Sequence, residues 1–509
     1  MSSTGTVYLV GAGPGDPGLL TRRAAELLAR ADVVMYDALV GSGVMALARP
    51  DAERIYAGKR AKNHAIPQGD LNKLLVEKAR EGKDVVRLKG GDPYIFGRGG
   101  EEAEELQSAG VRFEVVPGIS SIVAAPNYAG IPLTHRDHCS SFTVFTGHED
   151  PTKEDTSLDF ARLAAIKETK VVLMGVERIG KIMDSLRAHG VEGETPVAMI
   201  RWGTTGRQET ITGTVATIAD VVKEKGFKAP AVTLIGDVVD LRPRLNWFET
   251  RPLFGRRVVV TRTRQQASQL SSRLIDLGAE VLEIPTIKIE GPSDPERVVE
   301  ALQEISSYEW IVFTSPNGVD RFFELFFRAF EDLRSIGGAR IAAVGPATKA
   351  KLKELHLGVD LMPPKYVAGE IAEAFREYQN LENVTILLPR AEVANPDLPK
   401  TLTEMGAIVD DVPVYRTVPE TEDHNGAAQA FHESGAEWVT FTSSSTVEHF
   451  NERFPLHIVR ERFPRTRFAF IGPETSKALQ NLGQAPDIEA EDHNIPGLVE
   501  ALLSADRST

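Results

Sequence analysis

The chain has 509 residues, too many for one core and, at ~150 residues per domain, enough for about three or four. Hydrophobic residues make up 42% and charged residues 26%, which excludes a disordered chain. The net charge of -14 argues against general binding to nucleic acid or anionic membrane, although a local basic cleft can still hold an acidic ligand. Cys139 is the only cysteine, so no intrachain disulfide and no thiolate metal cluster can form; its expected role is that of a small buried hydrophobe, and no metal is expected.

The start, Met1 to Thr6, has no basic segment and runs directly into a strand. No apolar run approaches the ~20 residues of a membrane span, so a cytoplasmic protein is expected. Short β-branched runs at Val7–Val10, Val33–Tyr36, Val85–Leu88, Phe142–Phe145, Val171–Met174, Val197–Ile200 and Val232–Ile235 alternate with helix-length amphipathic segments. That pattern predicts an α/β fold of βα units with largely parallel sheets.

The first strand leads into Gly11-Ala12-Gly13-Pro14-Gly15-Asp16-Pro17-Gly18 and then a helix over about Leu19–Arg30. Counted from Gly13, the glycines fit a dinucleotide fingerprint, which would suit a nicotinamide-dependent oxidoreductase. Against this, Pro14 and Pro17 remove N–H donors from the loop, and the Asp16 carboxylate would repel a pyrophosphate. A cofactor without phosphates, such as S-adenosylmethionine, fits better. A second glycine-dense stretch, Lys89 to Glu102, follows strand Val85–Leu88; its glycines let backbone approach a ligand closely, and Asp92 can accept hydrogen bonds from hydroxyls or an ammonium. The acidic run Glu101–Glu105 is expected to be a solvated helix face.

Together with Pro117-Gly118-Ile119-Ser120-Ser121 and Gly130-Ile131-Pro132-Leu133-Thr134-His135-Arg136, these stretches resemble the uroporphyrinogen-III C-methyltransferases of the tetrapyrrole methylase family over about residues 5–245. The resemblance implies two α/β lobes, about 1–120 and 121–245, with S-adenosylmethionine in the cleft between them. It implies cofactor contacts at Pro14, Gly90, Gly91, Asp92, Ile95, Ser120, Ser121, Met174 and Gly203, and a homodimer formed through this half. Ser120-Ser121 stands where the family often has Thr-Ala, which keeps one hydroxyl.

The family's proton acceptor and donor correspond to Asp37 and Lys59. A pyrrole carbon attacks the sulfonium methyl, and the resulting cation must lose a proton from a neighbouring bridge carbon. Asp37, at a strand's end, suits a base and equally a helix N-cap; Lys59 suits an acid and equally an anchor for a substrate carboxylate. Arg60, Lys62 and Arg136 are candidate partners for the eight carboxylates of the implied substrate, with a surface role as the alternative.

Between Leu241 and Arg257 the strand and helix pattern breaks, which places a boundary near residue 250 and a linker over 246–254. Beyond it the chain repeats itself. Glu309-Trp310 and Phe313-Thr314-Ser315 return as Glu437-Trp438 and Phe441-Thr442-Ser443, a shift of 128 residues that also carries Arg262 onto Arg390 and Pro285 onto Pro413. Each copy reads strand, helix, strand, Trp-containing strand, helix, then a strand ending in Gly-Pro. Hydroxyls and free N–H groups where these helices begin make anion sites, and two duplicated lobes would face one another across a cleft.

With Val344-Gly345-Pro346-Ala347-Thr348, Val412-Pro413-Val414-Tyr415-Arg416-Thr417 and Ile471-Gly472-Pro473-Glu474-Thr475, this half resembles uroporphyrinogen-III synthase over about 255–509. That family implies one lobe of 255–287 plus 414–509 and another of 288–413, joined by a pair of linker strands. Its reaction closes linear hydroxymethylbilane into a macrocycle with inversion of one ring, and it needs no cofactor. Tyr415 corresponds to the tyrosine suspected of assisting hydroxyl departure, with hinge packing as its alternative. Thr314, Ser315, Ser443, Ser444 and Thr475 would bind substrate carboxylates, and helix capping suits them too.

Joined, the two halves would convert hydroxymethylbilane to uroporphyrinogen III and methylate it at C2 and C7 to precorrin-2, for sirohaem or cobalamin. A methylase acting on a later corrin precursor, fused to a non-catalytic binding module, is one alternative, and a nicotinamide-dependent oxidoreductase is the other.

Overall fold

Four five-stranded sheets follow one another in this computed structural model, which describes residues 4–49, 51–58, 66–147, 158–262, 264–364, 368–423 and 425–507. Lys59, Arg60 and Lys62 lie outside the described residues.

The first lobe holds β1 (Val7–Gly11), β2 (Val33–Tyr36), β3 (Glu53–Tyr56), β4 (Val85–Lys89) and β5 (Phe113–Val116), in the order β3-β2-β4-β1-β5, all parallel. Helices cover both faces, so β1 and β4 are buried at every position. From β1 the chain crosses towards β2, and from β4 towards β5 on the opposite side. The glycine loops after β1 and β4 therefore flank the switch point of the sheet, where α/β folds bind ligands. The helix after the first loop is shorter than expected: a single turn at Pro17–Leu19 precedes helix Arg22–Leu28, whose Ala24 N–H is capped by the Thr21 hydroxyl.

The second lobe holds β6 (Phe142–Thr146), β7 (Thr169–Leu173), β8 (Pro196–Arg201), β9 (Glu209–Thr214) and β10 (Ala231–Ile235), in the order β6-β7-β10-β8-β9. The expectation of largely parallel sheets fails here. Among the described residues only β6 and β7 run parallel, while β10 is antiparallel to β7 and β8, and β8 to β9. The connection from β8 to β9 is too short for a crossover and makes a hairpin.

In the second half the strands are β11 (Arg257–Val260), β12 (Glu280–Glu283), β13 (Ile287–Glu290), β14 (Trp310–Phe313), β15 (Arg340–Ala343), β16 (Thr385–Ala391), β17 (Ile408–Pro419), β18 (Trp438–Phe441), β19 (Arg467–Phe470) and β20 (Ile488–Glu489). The third lobe is β12-β11-β18-β19-β20 and the fourth is β13-β17-β16-β14-β15. The copies are thus exchanged. Each lobe contains strands of both, joined where Trp438 of β18 pairs with Val258 of β11, and where Trp310 of β14 pairs with Ile386 of β16. Both tryptophans are fully buried. The boundaries expected at 287/288 and 413/414 fall inside β13 and β17, the antiparallel ribbon that leads from one lobe to the other.

The segment 246–254 is packed, not loose. Trp247 and Phe248 stack edge-on with Tyr128 of the second lobe, Trp247 Nε1 donates to Asn127 O at 3.0 Å, and Leu253 is buried in the core of the third lobe. Gly255 N donates to Gly206 O at 3.1 Å. Gly206 itself lies so close to β12 that a Cβ there would sit 2.2 Å from Glu280 N. Glu280 pairs with Arg257 at 2.9 Å and with Arg207 of the first half at 3.7 Å. Among the described residues no helix is long and apolar enough to cross a membrane.

Candidate active site

A cavity of about 610 Å³ opens between the first and second lobes. Its lining brings together Pro14 from the first glycine loop, Ile95 from the second, Ser121 from the start of helix Ser121–Tyr128, Met174 at the end of β7 and Gly203 in the β8–β9 turn. Leu39, Ile95, Phe96 and Met174 form an exposed apolar rim. Met174, Trp202 and Thr204 hold left-handed backbone, with φ of 54°, 47° and 72°. Strained geometry of this kind clusters at ligand sites, where surrounding packing enforces it.

Gly90, Gly91, Asp92 and Ser120 stand behind this lining and shape it. Gly91 and Gly13 exchange backbone hydrogen bonds at 2.7 and 3.2 Å, tying the two glycine loops together. Asp92 accepts from Tyr94 N at 2.9 Å and from Gly118 N at 3.0 Å, so its carboxylate already fixes two loops. Ser120 is the N-cap of helix Ser121–Tyr128, with its hydroxyl accepting from Ile122 N.

The loop offers little to a pyrophosphate. The N–H groups of Ala12, Gly13, Asp16 and Gly18 are bonded inside the protein, to Lys89 O, Gly91 O, Thr204 Oγ1 and Asp16 Oδ1. Pro14 and Pro17 have none to give. Asp16 is held by Tyr128 Oη at 2.8 Å, which clasps the first lobe to the second. A largely apolar cavity of this volume fits a drug-sized cofactor without phosphates, such as S-adenosylmethionine.

Asp37 follows β2 and does not cap a helix, since Gly41 is the N-cap of the next one, Ser42–Met45. Its Oδ1 meets Arg87 Nη2 at 2.7 Å. Arg87 and Lys89 lie on one face of β4, and both reach Glu102 Oε1, from Nε at 3.1 Å and Nζ at 2.7 Å; Gln68 Nε2 adds a third donor at 3.1 Å. Glu102 is 0% exposed, which overturns the reading of Glu101–Glu105 as a wholly solvated face. Burial and then the neighbouring Arg87 hold the Lys89 ammonium below its ordinary pKa, against the pull of Glu102. Arg87, Lys89 and Glu102 were not singled out in the sequence. A signal existed: two cations inside a β-branched central strand need buried partners, and Glu102 shares a helix face with Leu106.

Arg136 is exposed on the turn bridged by His135 and Cys139 and does not line the cavity. Cys139 is buried, with Sγ 3.2 Å from Thr169 Oγ1.

In the second half, Tyr415 on β17 is buried in the core of the fourth lobe and its hydroxyl lies 3.1 Å from Ser315 Oγ. Ser315 also caps helix Pro316–Ala329 through Gly318 N. Burial raises the Tyr415 phenol above its ordinary pKa, opposed by hydrogen bonds with Ser315 and Asn317. Thr314 lies next to Ser315 at the end of β14. In the third lobe, Ser443 shares a capping box with Thr446, and Ser444 Oγ donates to Glu474 O at 3.0 Å, beside the buried Thr475. The predicted hydroxyls thus fall into two clusters, one per lobe, and each also caps or ties a helix start.

Fold and cleft define a class: a two-lobed α/β enzyme with a cofactor cleft ill-suited to phosphates, joined to a second, strand-exchanged two-lobed half. Residues 6–219 match the tetrapyrrole (corrin/porphyrin) methylases, and residues 268–500 match uroporphyrinogen-III synthase HemD. A porphyrin biosynthesis protein HemD of Ruminiclostridium josui is 40% identical over 88% of this chain and 88% of its own length. A uroporphyrinogen-III C-methyltransferase of Bacillus subtilis is 41% identical over 71% of this chain and 74% of its own. An S-adenosyl-L-methionine-dependent uroporphyrinogen III methyltransferase of Methanosarcina barkeri is 53% identical over 47% of this chain and 93% of its own. The chain belongs to the tetrapyrrole methylases in its first half and to the uroporphyrinogen-III synthases in its second.

Proposed function

We propose that residues 255–509 cyclise hydroxymethylbilane to uroporphyrinogen III, and that residues 1–245 methylate that product at C2 and C7 to give precorrin-2, with 246–254 as the junction. The observation that carries this reading is the cleft lined by Pro14, Ile95, Ser121, Met174 and Gly203, with the carboxylate of Asp37 close by. S-adenosylmethionine supplies an electrophilic methyl group when bound there.

The chain's residues orient and deprotonate. The rims of the two lobes hold cofactor and pyrrole in line, the largest source of rate in such a transfer. Asp37, oriented by Arg87, takes the proton released from the bridge carbon, and Lys59 is its acid counterpart or an anchor for a carboxylate, with Arg60 as a further anchor. In the second half, Tyr415 assists departure of hydroxyl, its raised pKa keeping the phenol protonated. The hydroxyl clusters at Thr314-Ser315 and at Ser443-Ser444 with Thr475 bind carboxylates and bring the two ends of the bilane together.

A cytoplasmic site of action and a homodimer through the first half belong to the same reading. Purified protein given hydroxymethylbilane and S-adenosylmethionine should yield a cyclised tetrapyrrole heavier by two methyl groups. Type I isomer alone, or an unmethylated product, would refute one half or the other.

A further inference from the structure

A second cavity, of about 370 Å³, lies where the two halves meet. On one side it is lined by Tyr36, Asp37 and Tyr56 of the first lobe, and on the other by Asn425, Gly426 and Gln429 of the third. Ala38 and Val40 line this cavity and the cofactor cleft alike, so the two spaces are neighbours across one turn of chain. Asp37 opens onto the second space and is absent from the lining of the first. The third lobe is also held against the first half by contacts outside this lining, namely Gly206 against β12, Arg207 with Glu280, and the Tyr128, Trp247 and Phe248 rings.

We infer that the tetrapyrrole site of the methylating half is composite, with Asn425 and Gln429 of the synthase half forming its outer wall. The inference rests on the methylation reading above. A space of this size holds one pyrrole ring with its acid arms, while the rest of the macrocycle stays outside. Amides suit such arms, since they donate hydrogen bonds without the desolvation cost of a charge. The Asn425 side chain is fixed by donating to Glu283 O at 3.1 Å and accepting from Ala427 N at 3.0 Å. Gln429 is exposed and donates to Glu433 Oε1 at 2.8 Å. Among the described residues one carboxylate lines this wall, Asp423, and it accepts from Ala428 N and Gln429 N, which offsets its charge.

The test uses the full chain carrying Gln429→Glu or Gln429→Arg, with uroporphyrinogen III varied at saturating S-adenosylmethionine. A single charge placed against a polyanion changes KM by about threefold or more at low salt. KM for uroporphyrinogen III should rise in the Glu variant and fall in the Arg variant, KM for S-adenosylmethionine should stay put, and both shifts should shrink in 0.5 M salt, roughly as screening demands. Equal KM values in all three proteins, or changes that ignore the sign of the charge, would overturn the composite site while leaving methylation standing. An unaltered enzyme that fails to methylate uroporphyrinogen III would instead sink the methylation reading, and the wall with it.

Discussion

Replacing Glu102 by Gln tests how the methylating half holds its base. The buried group contains two cations, Arg87 and Lys89, and two carboxylates, Glu102 and the partly exposed Asp37. Glu102 Oε1 takes all three donors that reach this side chain, so the amide keeps its shape but removes the charge that balances Lys89 and half of Arg87. Breaking a buried ion pair from one side costs about 3–5 kcal/mol. Two features place the expected loss near the lower limit: Asp37 still neutralises Arg87, and Lys89, already below its ordinary pKa, can shed its proton.

That escape has a sign. A lysine whose folded pKa lies below the unfolded value of 10.5 penalises folding at low pH, and the penalty lifts as pH rises through the folded value towards the unfolded one. The variant's first lobe should therefore be about 3 kcal/mol less stable at neutral pH, with the deficit narrowing towards pH 10. Native-state hydrogen exchange read on the β4 peptide measures this locally, as exchange faster by about a hundredfold. Exchange within a few-fold of the parent, or a deficit that does not change with pH, would refute the reasoning.

Tyr415→Phe keeps the buried ring and removes the hydroxyl that meets Ser315, so ring closure should slow by about tenfold to a hundredfold with little loss of stability. Because burial raises that phenol above 10.0, the parent's cyclisation rate should show no loss of an acid up to about pH 10, and a fall beginning near pH 8 would exclude Tyr415 as the acid. Gly206→Val drives a side chain into the backbone at Ala279 and Glu280, an overpacking cost of about 1–3 kcal/mol at the junction. Calorimetry should then show the halves melting further apart than in the parent, and an unchanged trace would mean that the junction carries no stability.

Much of the fold was legible because its signals are local. β1, β2 and β4 are apolar runs bounded by turn residues, and the two tryptophan strands announced a duplication. The edge strands β3 and β5 were missed, since Glu53, Arg54 and Glu114 break the apolar pattern where one side of the strand meets solvent. β9 was missed because a hairpin partner, not its own composition, makes it a strand. Resemblance supplied Met174 and Gly203, and their meeting at the cleft depends on backbone twists beyond the reach of residue patterns. The pairing of Ser315 with Tyr415 spans 100 positions of chain, and that of Arg87 with Glu102 hides inside a run of glutamates. Such partnerships arise only once the sheets have formed.

The exchange of strands in the second half bears on how that half can be cut or assembled. Neither copy holds a complete sheet: the first supplies β11 and β12 to one and β13, β14 and β15 to the other. Left alone, a single copy would expose the raw edges of β11 and β14, and the β11 edge of one molecule would invite the β14 edge of another. A gene encoding one copy would therefore make a mutually embracing pair of chains, and the present chain is that pair tied end to end.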